Sequence, residues 1–231
     1  CVVTTHYADL SSIADMKRVG TEIANTHPHV DVLINNAGGI FGTREITLDG
    51  LERTFALNHL SYFVLANSLR ENLLAAKRAN GGARVVNVAS RAHRGEVLDF
   101  SDLQSERDYR WFRTYGRSKL ANILFSRELA RRWAQDGITV NCLHPGFVTT
   151  RFGANNHMML RALIRLAMVA AISPEKGADT VVYLASSPDA ASVTGQYFFR
   201  RQAIEPDAPA QDDAAAAKLW AMSAHLSGLR V

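Results

Sequence analysis

Arg84-Val85-Val86-Asn87-Val88-Ala89-Ser90 is the stretch on which the fold turns. It reads as a short buried strand that delivers a hydroxyl, Ser90, at its C-terminal end. Upstream, His29-Val30-Asp31-Val32-Leu33-Ile34 is a second apolar strand and runs straight into Asn35-Asn36-Ala37-Gly38-Gly39. Downstream, Ile138-Thr139-Val140-Asn141-Cys142-Leu143 is a third, ending in His144-Pro145-Gly146-Phe147-Val148-Thr149-Thr150. Helical periodicity fits residues 11–25, 48–79, 114–135, 174–186 and 212–226. Gly137 sits where a helix C-cap belongs, and Ser173-Pro174 reads as an N-cap followed by proline in the first turn. Strand and helix alternating at this spacing imply an α/β fold whose parallel sheet is covered on both faces. Ligands of such sheets bind outside the carboxyl ends of the strands, where the three polar or glycine-containing loops lie.

Tyr115-Gly116-Arg117-Ser118-Lys119 falls within the third helix. A phenol and an ammonium four residues apart share one helix face. A lysine charge there favours the phenolate and is expected to lower the tyrosine pKa from about 10 toward the range of a general acid/base. Alone, a Tyr-x-x-x-Lys pair is more often a solvated helix face. Its weight comes from the ordered set of strand ends around it.

With the NNAG strand end, the serine, the YxxxK helix and the PGxVxT loop in that order, the chain resembles the short-chain dehydrogenase/reductase family from about Asp9 to its C-terminus. The resemblance implies a Rossmann-like, doubly wound parallel sheet in one domain spanning residues 1–231. It implies NAD or NADP as cofactor. It also implies Asn58, Ser90, Tyr115 and Lys119 as catalytic: Ser90 polarises the substrate oxygen, Tyr115 transfers the proton, Lys119 tunes Tyr115 and holds the nicotinamide ribose, and Asn58 holds a water in the proton relay. Asp9 is implied near the adenine, Asn36, Ala37 and Gly38 beside the ribose, and Pro145, Gly146, Val148 and Thr150 around the nicotinamide. The long serine-to-tyrosine gap, the segment Asp99-Phe100-Ser101-Asp102-Leu103-Gln104-Ser105-Glu106, the run Ser118-Lys119-Leu120-Ala121-Asn122-Ile123-Leu124-Phe125 and Gly195-Gln196-Tyr197-Phe198 look like the retinol-dehydrogenase-like branch. That similarity implies a lipophilic alcohol or carbonyl substrate.

One family feature does not occur in the sequence, the phosphate-binding TGxxxGIG loop after the first strand. By resemblance, residues 1–10 match the third family strand, and the first two strands lie upstream of Cys1. Family strand order is 3-2-1-4-5-6-7, so residues 1–10 would lack their neighbours, and the strand at residues 29–34 would show one open edge. The segment is therefore expected to detach, to pair in a non-family register, or to pair with another chain. Backbone N–H groups of a glycine loop hold a pyrophosphate. The alternative to an active dehydrogenase is thus a truncated, non-catalytic fragment that keeps the catalytic wall but cannot hold the dinucleotide.

With 231 residues, 47% hydrophobic, the chain is long enough for one substantial core. A formal charge of +4 is mild. The densest basic stretch, residues 107–117, mixes arginine with Tyr109, Trp111 and Phe112. It reads as a solvated insert or lid edge before the catalytic helix rather than as a nucleic-acid site. Cys1 and Cys142 do not make a disulfide framework, which suits a reducing cytoplasm. His27-Pro28-His29 is a turn with no carboxylate or thiol at metal-ligand spacing, so no metal site is expected. Residues 158–172, MMLRALIRLAMVAAI, are too short for a transmembrane span and carry Arg161 and Arg165. A substrate-covering lid is preferred for them over a core helix or a membrane-touching surface helix. Family members often associate through their long catalytic helices, and the resemblance extends that option of a homo-oligomer to this chain. A serine hydrolase built on Ser90 with His93 or His144 is disfavoured, because Ser90 lacks the G-x-S-x-G elbow.

Overall fold

The computed structural model describes residues 2–146 and 172–231. Helix α1 (Ile13–Thr26) starts at Ser12, whose side chain accepts from the Asp15 N–H, and it turns Met16 and Val19 into the core. Strand β1 (Val32–Asn35) follows. The next helical stretch comprises a single turn α2 (Arg53–Phe55), a π-helical turn (Ala56–Leu60), α3 (Ser61–Ser68) and α4 (Arg70–Asn80). Then come β2 (Ala83–Val88), α5 (Trp111–Arg132), β3 (Ile138–Leu143), α6 (Pro174–Ser186), β4 (Tyr197–Phe199), β5 (Gln202–Ile204) and α7 (Asp213–Ser227).

The sheet runs β1-β2-β3-β4-β5. Its first three pairings are parallel and the last is an antiparallel hairpin. Alternation along β2 and β3 splits the core in two. Val85, Ile138, Val140 and Cys142 join the larger cluster with α1, α3, α5 and α7. Val86 and Leu143 face the other way and pack with Leu184 of α6 and Phe198 of β4. Both faces are therefore covered, as the near-continuous apolar reading of β2 and β3 requires.

Residues 2–9 form no strand. They lie beside α1, tied by His6 to Glu22 at 2.8 Å and by Arg18, which donates to the Tyr7 carbonyl at 2.6 Å. Among the described residues strand β1 has one neighbour, and Ile34 on it is 43% exposed. Detachment, one of the expected outcomes, is what the structure shows.

The helix expected at 114–135 runs from Trp111 to Arg132 and the strand expected at 29–34 from Val32 to Asn35, and two further features depart from the sequence pattern. The expected helix at 48–79 begins only at Arg53, because residues 47–50 close a turn with Gly50 at φ +76°. Glu52 then caps the helix, its carboxylate accepting from the Thr54 and Phe55 N–H groups at 2.7 Å. The β4–β5 hairpin has no Asn-Gly signal. Its two-residue turn is Arg200-Arg201, with φ of +48° and +63°. Tertiary contacts hold that left-handed pair: Arg201 ion-pairs with Asp179 and its N–H donates to Thr180 Oγ1 at 3.2 Å.

Candidate active site

Glycine at position 116 sets the distance between the catalytic helix and the end of β2. A Cβ placed there would lie 2.5 Å from the Ala92 carbonyl oxygen and 2.9 Å from Glu96 Cγ, so α5 packs backbone-to-backbone on the short 3₁₀ turn Arg91–His93. That approach brings the two neighbouring side chains together. Ser90 Oγ, which accepts the Ala92 N–H at 3.2 Å, hydrogen-bonds the Tyr115 phenol. One turn on, Lys119 Nζ lies 5.8 Å from the Tyr115 ring centre and 5.7 Å from that of Tyr62. It donates to the Val88 carbonyl at 3.1 Å.

Asn58 sits in the π-helical turn and is fully buried. Such a turn inserts one extra residue per hydrogen-bond ring and re-aims the side chains within it. The Asn58 amide accepts from the Gly39 N–H at 2.7 Å and donates to the Gly39 carbonyl and to Ser118 Oγ, both at 2.9 Å. It therefore fastens the loop after β1 to helix α5. Asn36, Ala37 and Gly38 are left exposed on that loop. A Cβ on Gly38 would lie 3.1 Å from Asn58 Oδ1 and 3.3 Å from Lys119 Nζ, so glycine keeps the loop from crowding either atom.

A serine and a tyrosine joined by a hydrogen bond, a lysine one turn away, and an asparagine-anchored glycine loop thus meet at the carboxyl ends of β1 and β2. The short chain dehydrogenase family model matches residues 2–160. The chain belongs to that family. It is 41% identical over 224 residues to mouse retinol dehydrogenase 14, covering 96% of this chain and 66% of that protein. With human retinol dehydrogenase 13 it shares 36% over 233 residues, covering 98% and 69%. The chain spans about two thirds of the length of these relatives. Among solved structures, an uncharacterized protein from Mycobacterium paratuberculosis superposes with a TM-score of 0.76 at 29% identity, over 97% of this chain and 75% of that one. The Pseudomonas aeruginosa RhlG/NADP active-site complex gives 0.61 at 29%, over 83% and 72%.

The sheet of this family member is parallel through its first four strands, as the sequence implied, and Asn58, Ser90, Tyr115, Lys119 and Gly38 lie together at its carboxyl edge. Asp9 Oδ1 accepts the N–H and hydroxyl of Ser11, and the Asp9 N–H donates to Asp15. Pro145 and Gly146 follow β3, half-buried, with Gly146 at φ +89°. Val148, Thr150 and the proposed lid segment up to residue 171 lie outside the described residues.

One electrostatic expectation is reversed. The Tyr115 pKa is not lowered but pushed up to about 12, chiefly by burial, with the Ser90 hydrogen bond working the other way. Lys119 is itself 4% exposed and pulled down to about 8 by burial. Its ammonium donates to the Val88 carbonyl, and for both groups desolvation is the largest effect.

The basic stretch before and within α5 is paired internally. Arg107 meets Asp99 at 2.9 Å and Arg110 meets Asp108 at 3.0 Å, while Arg113 and Arg117 approach Glu96 at 3.7 and 3.9 Å. Sequence reasoning did not single out Gly116, although glycine inside a strong helix costs about 1 kcal/mol relative to alanine and so signals a close approach. It also gave no role to Asn35, which donates to Asn87 Oδ1 at 2.8 Å across buried strand ends. Asn87 in turn donates to Ser126 Oγ at 2.9 Å. Among the described residues no helix is long and apolar enough to cross a membrane.

Proposed function

We propose that this protein is an NAD(P)-dependent oxidoreductase that interconverts an alcohol and a carbonyl, with a lipophilic substrate. The observation that carries the reading is the Ser90–Tyr115 hydrogen bond with Lys119 one turn away, in a chain of this family. The residues fit the nicotinamide–ribose half of a dinucleotide. Gly38 lacks the Cβ that would crowd Lys119 Nζ, and the loop carrying it is fastened by Asn58. Lys119 and the backbone of Asn36, Ala37 and Gly38 would hold the ribose, and Pro145 and Gly146 would border the nicotinamide. Bound there, the cofactor supplies or accepts a hydride.

The chain's own groups handle the proton. Ser90 Oγ and the Tyr115 phenol, already joined, form a two-point grip for one substrate oxygen. With its pKa at about 12, Tyr115 holds its proton at neutral pH, with about one phenolate in 10⁵. A protonated phenol is the acid that a carbonyl reduction needs, because the alkoxide forming as hydride arrives takes its proton from Tyr115 Oη. In the reverse direction the phenolate must form first, so oxidation speeds up as pH rises. Lys119 keeps a positive charge beside the phenol up to about pH 8, which stabilises the phenolate left after proton transfer.

The greasy character of the substrate is supported by the resemblance to relatives named retinol dehydrogenases and by the apolar run at residues 158–172. The test is NADPH- or NADH-dependent turnover of a panel of long-chain and retinoid aldehydes against short polar ketones. Absence of nucleotide-dependent turnover on every carbonyl tried overturns the assignment.

A further inference from the structure

His93 ends the 3₁₀ turn that follows Ser90 and is buried. A hydrolase would need its imidazole at the Ser90 hydroxyl. Instead, Nδ1 lies 2.7 Å from the Ser90 carbonyl oxygen. A carbonyl oxygen only accepts, so at this distance Nδ1 carries a proton and donates it. The other neutral tautomer would set two lone pairs against each other. The His93 backbone N–H reaches the same oxygen at 3.2 Å, so one residue grips this carbonyl twice.

Segments remote in sequence hold the ring in place. Tyr197 of β4 packs edge-on against it with ring centres 5.2 Å apart, and the Tyr197 hydroxyl lies 2.9 Å from His144 Nδ1. Asp207, in the loop before α7, fastens the turn itself, its Oδ2 accepting the Gly95 N–H at 2.9 Å. Asp207 Oδ1 stands 3.5 Å from Arg94 Nε and 3.9 Å from His93 Nε2, beyond hydrogen-bond reach of the imidazole. Burial holds the His93 pKa below its ordinary value, so the ring is neutral at neutral pH.

The turn that aims Ser90 Oγ is thus fixed at three points. Ser90 Oγ accepts the Ala92 N–H at 3.2 Å, the Ala92 carbonyl lies against Gly116 of α5, and the Ser90 carbonyl is held by His93. We propose that His93 is a positioning residue, whose Nδ1–H pins the Ser90 carbonyl and thereby fixes the direction in which the Ser90 hydroxyl meets the substrate oxygen. The proposal rests on the dehydrogenase reading for its consequence in turnover, but not for the hydrogen bond itself.

Two variants separate the donor from the packing. An asparagine amide nitrogen stands two bonds beyond Cβ, as Nδ1 does, so His93→Asn restores a donor to the Ser90 carbonyl. His93→Leu keeps more of the buried volume and has no donor. Because a small misplacement of a catalytic group costs up to about 10²-fold, kcat for carbonyl reduction is expected to fall at least about tenfold in His93→Leu, with KM for NADPH within about twofold, and to stay within about threefold of wild type in His93→Asn. Thermal unfolding should rank the pair the other way, since asparagine leaves a gap and a buried oxygen. A packing role alone makes turnover follow melting temperature, so a leucine variant as active as the asparagine variant refutes the proposal. Long-range ¹H–¹⁵N spectra of histidine-labelled wild-type protein at pH 7.5 need no activity and are expected to show His93 protonated on Nδ1. A neutral ring protonated on Nε2 overturns it. Wild-type protein without turnover on any carbonyl defeats the dehydrogenase reading instead. The ¹³C carbonyl shift of Ser90, expected to move in His93→Leu and to hold in His93→Asn, then still judges the hydrogen bond, and a shift unmoved in His93→Leu refutes it.

Discussion

Replacing Gly116 with alanine tests the close approach that builds the site. The new Cβ would stand 2.5 Å from the Ala92 carbonyl oxygen, a backbone atom that no rotamer change can move away. An ordinary carbon–oxygen contact is about 3.3 Å or longer, so α5 and the turn carrying Ser90 must separate by about 0.8 Å. Alanine regains about 1 kcal/mol of helix propensity. Overpacking of this kind costs about 1–3 kcal/mol. The net effect on stability is thus a loss of at most about 2 kcal/mol, a drop of a few degrees in melting temperature. The effect on catalysis is larger, because the Ser90–Tyr115 hydrogen bond spans this very gap and a displacement near 1 Å costs about 10²-fold in rate. Thermal unfolding and steady-state reduction of a lipophilic aldehyde with NADPH, run side by side, read both quantities. A variant that melts higher than wild type and turns over at the wild-type rate refutes the reasoning.

Tyr115→Phe removes the proton donor and is expected to lower turnover by at least about 10³-fold while NADPH affinity, followed by nucleotide fluorescence, stays within about twofold. Gly38→Val puts a branched side chain over Lys119, so nucleotide titration should show weakened NADPH binding with the melting temperature unchanged to within about 2 °C. Burial lowers the His59 pKa to about 3, well below its unfolded value near 6.5. Between those two pH values the unfolded chain binds more protons, so this histidine makes stability fall by up to about 1.4 kcal/mol per pH unit as pH drops below 6.5. Urea denaturation at pH 7.5, 6 and 5 should reveal that slope in the wild type and a shallower one in His59→Phe. Parallel slopes would remove the buried neutral histidine from the account.

Three strands and the loops that end them were legible in the amino-acid sequence, because a parallel sheet buried on both faces forces near-continuous apolar runs such as Val85–Val88 and Ile138–Leu143, whereas their order in the sheet came from the family resemblance. The YxxxK spacing likewise declared a shared helix face before any coordinate did, since an α-helix repeats every 3.6 residues. Local pattern cannot report what a side chain meets from a distant segment. The π-helical turn that aims Asn58, the Arg200-Arg201 hairpin pinned by Asp179, the Ala92 carbonyl lying against Gly116 and the contact of Ser223 with His59 all depend on residues remote in sequence. Ionisation belongs with them. The sequence placed a cation near a phenol, but only the tertiary structure decided that burial of both groups dominates, because the cost of desolvating a charge depends on everything packed around it.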